Sequence, residues 1–392
     1  MSEETEINNL TDVINSYDNN QRLARHIGLE KNVLEILAQE LRQPYVRSDL
    51  DNKISNANAL LADDTIKVSE KVGRAIQSFK RISESEVFTP RRITELMIDG
   101  VVNDMDLSDF NEHPKKFIDL ASKSGIYLVV LYEKLLESNV DENIARKSLY
   151  AIATSSIAYE FTRKVFELME FPVENILDID YASSYDLINE NNREYTTDGV
   201  KQYYFKGDEN MKFDVVVGNP QYNESISATG GNSSLSKQLF PSFIEMATSM
   251  GAESVSLITP SRWFTADAQD RSFVKLREYV KNNNHFKKIY SFPNSKQIFP
   301  GVEIAGGVSF FIFKSDYEGN VDFIENYSGS EIEASRPLFE NGLDIIIPMN
   351  ELVNILRKVS NKKGFISMTT ITKGRNAFGI VGKKSDLDKI TL

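Results

Sequence analysis

One short run, Asp214-Val215-Val216-Val217-Gly218-Asn219-Pro220-Gln221-Tyr222, groups the residues of this chain best suited to chemistry. Asn219 offers an amide oxygen as acceptor and an amide nitrogen with two donor hydrogens. Pro220 has no N–H, so nothing local competes for its carbonyl, a second acceptor. Tyr222 adds a flat aromatic face. Acceptors beside an aromatic plate suit a planar heterocycle bearing an exocyclic amine: the oxygens take the amine hydrogens and the ring stacks. The same residues also make an ordinary strand end, since Asn and Pro are common in turns. The elements around them have to decide.

Val215 to Val217 is a β-branched run that reads as a buried strand, and Gly218 and Pro220 punctuate its end. Asn219 would then stand at the carboxyl edge of a sheet, where open α/β sheets bind ligands. Upstream, Lys116 to Leu131 reads as a strand ending in Asp119, a small-residue turn with Ser122 and Gly125, then an apolar helix. Such a unit opens a Rossmann-like sheet, and its small residues let the backbone approach a nucleoside. The spacing G-x-G-x-x-G is missing, so a dinucleotide loop is not indicated. Earlier still, Thr89 is placed to cap a helix whose first residue is Pro90 and which runs through Ile93, Leu96 and Met97.

Ala145 to Met169 reads as mostly helical, with a short strand at Leu149–Ile152; Asn175 to Asp180 alternates like a further strand that would bring Asp178 or Asp180 to the same edge. Asn223 to Leu235, rich in Ser, Gly and Asn, has the composition of a flexible lid loop. Helices follow at Lys237–Ser249 and Phe273–Lys281, and strands at Ser254–Thr259 and Lys287–Phe292. Val302–Ala305 and Val308–Phe313, bracketed by glycines, suggest a hairpin forming the antiparallel edge of a mixed sheet. The alternation predicts an α/β fold with helices on both faces of a mainly parallel sheet.

A chain of 392 residues, 41% hydrophobic and 26% charged, accommodates two or three domains. We divide it into a helical N-terminal domain (residues 1–84), a catalytic domain (85–330) and a basic C-terminal segment (331–392). The first rests on Leu34, Leu37 and Leu41 and on Leu61, Val68, Val72 and Ile76 at helical spacing. No apolar run reaches the roughly 20 residues of a membrane span, and the acidic start Met1-Ser2-Glu3-Glu4 is not a signal peptide; both suit a cytoplasmic protein. The chain has no cysteine, which excludes disulfides, thiolate metal sites and cysteine nucleophiles. His26, His113 and His285 are scattered, and no metal site is expected. The net charge is −12, yet Leu352 to Ser385 holds Arg357, Lys358, Lys362, Lys363, Lys373, Arg375, Lys383 and Lys384 with no Asp or Glu. That asymmetry fits a polyanion partner or a solvated basic tail.

These stretches, in this order, resemble the N6-adenine DNA methyltransferases of restriction–modification systems, most of all the large type II restriction-modification methylases. Phe88-Thr89-Pro90 is similar to that family's first cofactor segment, and Asp119-Leu120-Ala121-Ser122-Lys123-Ser124-Gly125 to its cofactor loop. Asn219-Pro220-Gln221-Tyr222 resembles its catalytic Asn-Pro-Pro-Tyr. Pro260 to Phe264, Phe299 to Val308 and Arg375 to Gly379 resemble downstream signatures, the last leading towards target recognition. The resemblance implies a Rossmann-like S-adenosylmethionine-dependent methyltransferase fold with a seven-stranded type of mixed sheet. It implies catalysis by Asn219, Pro220 and Tyr222 on adenine in double-stranded DNA. It implies cofactor contacts from Phe88, Thr89, Pro90, Asp119, Ala121, Ser122, Gly125 and Asp180, with Asp180 accepting from the cofactor's adenine amine. A separate specificity or nuclease subunit would be a natural partner. Lys123 departs from the pattern, standing where relatives usually have glycine or another small residue, and no acidic residue follows Leu149–Ile152. Two other readings stay open: a degenerate methyltransferase fold that binds DNA or acts as a decoy, and a methyltransferase of RNA or protein.

Overall fold

Side chains along the central strands alternate between two apolar layers, and that alternation sets the architecture. In the computed structural model, residues 44–78, 87–180, 182–188, 212–225, 236–268, 270–327 and 329–366 are described, with a few positions before 44. Leu34, Leu37, Leu41, Gly230, Gly231 and the Arg375–Gly379 segment lie outside the described residues.

The order is α1 (Pro44–Ala62), α2 (Val68–Ser78), α3 (Arg91–Val102), β1 (Phe117–Ser122), α4 (Ile126–Glu137), α5 (Glu142–Lys147), β2 (Leu149–Ala153), α6 (Ser156–Met169), β3 (Val215–Gly218), β4 (Asn223–Ser225), β5 (Ser236–Gln238), α7 (Phe240–Ser249), β6 (Ser254–Pro260), α8 (Ser272–Asn282), β7 (Phe286–Phe292), β8 (Val308–Lys314), β9 (Val321–Tyr327), β10 (Ser330–Arg336) and α9 (Asn350–Ser360). Eight strands form one sheet in the order β2-β1-β3-β6-β8-β7-β9-β10. β2, β1, β3 and β6 are mutually parallel, and β8 lies antiparallel between β6 and β7. This is the mixed α/β sheet expected of the fold.

Phe117, Val215 and Val217 face a layer built with α2, α3, α4 and α6, while Ile118, Leu120 and Val216 face a layer built with α7 and α8. Helices therefore cover both faces, and the central strands read as continuous apolar runs because neither face is wet. Asp119 pairs with Val217 and Gly218 with Leu257, so Asp119, Asn219 and the end of β6 emerge at one carboxyl edge.

Several expectations need correction. Asn175–Asp180 is not a strand: a short turn of 3-10 helix occupies Val173–Asn175, and only Ile176 bridges to Ala151. Val302–Ala305 does not pair with β8, whose partners are β6 and β7. Instead Gly306 and Gly307 adopt positive φ, and a Cβ on Gly307 would lie 2.2 Å from the Phe292 carbonyl, so the chain turns there under a backbone approach only glycine permits. Thr89 is not a helix cap: Pro90 precedes α3, and no side chain caps it. The expected loop after Tyr222 begins as β4, which pairs antiparallel with β5, so the following helix starts at Phe240 and not at Lys237.

The expected division after residue 330 falls on the first residue of β10, which the sheet retains. Packing separates Met1–Ile346 from Ile347–Leu392. In the second unit, α9 leaves Leu352, Ile355 and Val359 exposed and carries Arg357 and Lys358 in its last turn.

Candidate active site

β3 ends in Gly218, whose absent side chain lets the strand sit close to β1. A Cβ there would lie 3.2 Å from Asp119 Oδ1 and 3.4 Å from the Ala121 nitrogen. The two expected functional segments thus meet through one glycine.

Asn219 follows, only 3% exposed. Its Nδ2 donates to the Val87 carbonyl (3.2 Å) and to Thr89 Oγ1 (3.1 Å). A carbonyl only accepts, so the amide nitrogen must face Val87, and that fixes Oδ1 in the opposite direction. Oδ1 is buried and has no partner among the described residues. A buried amide oxygen without a donor costs about 1–3 kcal/mol, and such an atom in a native site calls for a ligand or a water. The Pro220 carbonyl accepts no hydrogen bond among the described residues either. Tyr222 is half-buried, its hydroxyl is enclosed without a partner, and burial raises that phenol well above its ordinary range. The Tyr222 carbonyl accepts from Leu239, which ties the β4–β5 pair back to the site.

Thr89 is the hub that sequence reasoning assigned a different role. Its Oγ1 also accepts from the Tyr127 hydroxyl at 3.0 Å, so the residue expected to cap a helix joins α4 to the catalytic amide. Burial pushes the Tyr127 hydroxyl far up, which keeps it a donor. Phe88 is buried edge-on to Phe161 at 6.2 Å, and Pro90 supplies a carbonyl to the first turn of α3.

The loop after β1 is held from behind. Ser122 Oγ bonds Thr162 Oγ1 on α6 at 3.0 Å and accepts from the Gly125 nitrogen at 3.2 Å. Gly125 has φ +72, and a Cβ on it would meet Val165 Cγ1 at 3.2 Å. This glycine answers a left-handed turn packed on α6, not the space a nucleoside would fill, which corrects the reason expected for it. Thr162 and Val165 were missed; from sequence they read only as one face of a helix.

Asp119 is 1% exposed, and its Oδ1 accepts from the Ala121 nitrogen at 3.2 Å. Burial pushes its carboxyl up to about 7, against the lowering effect of the Ala121 amide, the Ser122 hydroxyl and the Lys123 charge. Asp180 is exposed beyond Ile176, where its backbone N–H bonds Asp178. Of the expected set, the structure brings Phe88, Thr89, Asp119, Ala121, Ser122, Gly125, Asn219, Pro220 and Tyr222 to linked strand ends; no described contact joins Asp180 to them.

A cavity of about 750 Å³ opens near the far end of α4, lined among others by Arg91, Tyr132, Glu133, Glu142 and Arg146. Its charges pair with one another: Arg91 with Glu133, and Arg146 with Glu142. It presents no unmatched group and is not the reactive site. Among the described residues no group of three His, Asp or Glu side chains could hold a metal, and no helix is long and apolar enough to cross a membrane.

Comparison with known proteins bears on this geometry. Residues 147–299 match the family described as Eco57I restriction-modification methylase, a span that contains Asn219 to Tyr222 but neither Thr89 nor Asp119. An uncharacterized adenine-specific methylase of Mycoplasma pneumoniae is 33% identical over 158 residues, 39% of this chain and 35% of that protein. The chain thus spans about a third of that relative's length. Two solved structures align with low identity. A type I restriction–modification system structure is 13% identical, with 89% of this chain and 68% of that one covered at a TM-score of 0.49. The type I restriction-modification system methyltransferase subunit from Streptococcus thermophilus is 13% identical, with 93% and 76% covered at 0.47.

Proposed function

We propose that this chain, which carries an Eco57I restriction-modification methylase domain over residues 147–299, methylates the N6 amine of adenine in double-stranded DNA from S-adenosylmethionine. We place it in a restriction–modification or related defence system of the cytoplasm, with a separate specificity or nuclease subunit as partner. One observation carries the reading: Asn219 Oδ1 is buried, has no donor among the described residues, and is aimed by the two hydrogen bonds its nitrogen makes.

A duplex hides the adenine amine, so the base must be flipped out before this edge can meet it. Asn219 Oδ1 and the Pro220 carbonyl then accept the two amine hydrogens, which holds the nitrogen and draws electron density onto it. Tyr222 offers its ring for stacking. Positioning supplies most of the catalysis, since no covalent bond to the protein is required. Neither Asn219 nor Pro220 is a base, so the proton lost by the amine goes to water after transfer.

The residues after β1 fit the cofactor. Asp119 is a buried carboxyl with no ion pair among the described residues, and a cationic group beside it would favour its charged form. Asp119, Ala121, Ser122 and Gly125 would hold the methionine end, with Phe88, Thr89 and Pro90 opposite and Asp180 towards the adenine. S-adenosylmethionine, when bound, supplies a methyl group on a sulfonium centre.

The test is single-turnover transfer of tritiated methyl to unmethylated duplex DNA, beside RNA and protein acceptors, with cofactor affinity measured by calorimetry. Label in duplex DNA is expected. Cofactor binding with label in RNA or protein alone would reassign the substrate, and no cofactor binding would mark a degenerate fold.

A further inference from the structure

Lys123 is the residue of the cofactor loop that departs from the resemblance, and its burial asks for an explanation. It is only 6% exposed, between Ser122 and Ser124, which are buried as well. Lysine is rarely buried, because desolvating an ammonium costs several kcal/mol unless an anion compensates it. The loop around it is fixed from α6 by the Ser122–Thr162 hydrogen bond and the packing of Gly125 on Val165, so Lys123 is not on a segment free to swing into solvent. Its charge acts on the carboxyl of Asp119, four residues earlier, which is itself 1% exposed. Asp119 is bonded to the Ala121 amide and makes no ion pair among the described residues, so the two opposite charges share one buried neighbourhood without forming a closed pair.

A buried carboxyl and a buried ammonium held apart on one rigid turn match a ligand that carries both charges in reverse. The methionine end of S-adenosylmethionine is such a group: its ammonium suits Asp119 and its carboxylate needs a cation. Resting on the cofactor reading above, we propose that Lys123 binds the carboxylate of the cofactor's methionine end, so that Asp119 and Lys123 together receive the zwitterion. The substitution of a small residue by lysine then adds a cofactor contact. It also makes the loop selective for a ligand with a free carboxylate.

Decarboxylated S-adenosylmethionine tests this, because it keeps the ammonium and the sulfonium and loses only the carboxylate. Calorimetry on the full chain compares both forms with wild type and Lys123→Met, with melting curves alongside. Wild type should bind S-adenosylmethionine at least about tenfold tighter, about the worth of a charge-assisted hydrogen bond. That order runs against net charge, since the decarboxylated form is the more cationic ligand for an acidic protein. Lys123→Met should weaken S-adenosylmethionine by about tenfold or more and leave the decarboxylated form within about twofold. Lys123→Arg should restore part of the loss.

Equal affinity of wild type for the two forms would overturn the assignment whether or not the variant folds. An equal loss on both forms in Lys123→Met would overturn it too, and would give Lys123 a role confined to the loop and Asp119. Wild type that binds neither form would instead bring down the cofactor reading on which this assignment rests.

Discussion

The two strand ends that meet through Gly218 are finished to different degrees. At the end of β1, Ser122 is bonded to Thr162 and to the Gly125 amide, Asp119 to the Ala121 amide, and Gly125 is packed on Val165. At the end of β3, Asn219 Oδ1 and the Tyr222 hydroxyl are buried with no partner among the described residues. The first edge is built by the chain's own contacts; the second is complete only when something else supplies the donor. A cofactor loop gains from rigidity, because a preformed turn loses little entropy on binding. An acceptor for a transient amine gains from vacancy, because an interaction made most strongly in the transition state raises turnover and not ground-state affinity.

Substitutions at the two edges should therefore fail in different ways. The largest effect belongs to the unfinished edge. Asn219→Ala removes the vacant acceptor, and single-turnover methyl transfer should fall by about 100- to 1000-fold, the usual loss for one well-placed polar contact. Cofactor affinity measured by calorimetry should stay within about twofold of wild type. A matching loss of cofactor affinity would erase the distinction between the edges.

Asp119→Asn probes the finished edge through pH. The carboxyl has an ordinary value of 3.8 and is pushed up to about 7 in the fold. Between those values the unfolded chain releases the proton and the folded one keeps it, so burial of Asp119 costs stability as pH rises, by roughly 1.4 kcal/mol per unit at most. Below about 4 both states are protonated and above about 7 both are ionised, so the loss is confined to that window. Without cofactor, the melting temperature of Asp119→Asn should pull ahead of wild type between about pH 4 and 7 and then run parallel. Parallel curves throughout would show that Asp119 is not held protonated.

Gly125→Leu should cost about 1–3 kcal/mol in a melting curve, for a left-handed backbone that leucine dislikes and a Cβ pressed on Val165. Cofactor binding should weaken with it, because the loop shifts as a unit. An unchanged melting temperature with lost binding would restore the view that glycine leaves room for a nucleoside.

Thr89→Val tests the link between the edges. It removes the acceptor shared by Asn219 and Tyr127, and about 1–2 kcal/mol of stability should go with it. Turnover should drop less than in Asn219→Ala, since the Val87 carbonyl still aims the amide. Tyr222→Phe should do least, with stability within about 0.5 kcal/mol and turnover largely kept, because the hydroxyl it deletes has no partner.

The finished and unfinished edges were not equally legible in the sequence. Strands carry their own signal: the β-branched run at Val215–Val217 and the small-residue turn after Asp119 located both edges. Asn219, Pro220 and Tyr222 could be named because their chemistry is intrinsic to the residue types. What supports them was hidden, because it arrives from distant parts of the chain. The Val87 carbonyl and Thr89 reach Asn219 across 132 and 130 residues, and nothing in Thr89-Pro90 separates a helix cap from a hub. Thr162 and Val165 looked like one face of α6, and only packing shows that they hold the cofactor loop. Weak strands misled in both directions. Asn175–Asp180 alternates but forms one bridge, since backbone pairing and not pattern makes a strand, while the polar β4 pairs with β5 without any apolar periodicity.

The central claim is that the vacant oxygen of Asn219 receives the amine of a flipped adenine. Its most direct test is product analysis: unmethylated duplex DNA is incubated with the protein and S-adenosylmethionine, digested to nucleosides and resolved by mass. The account predicts N6-methyladenine as the methylated nucleoside, formed by wild type and depressed at least about 100-fold with Asn219→Ala. Methylated nucleoside formed at the wild-type rate by Asn219→Ala, or methylation confined to cytosine, would contradict it.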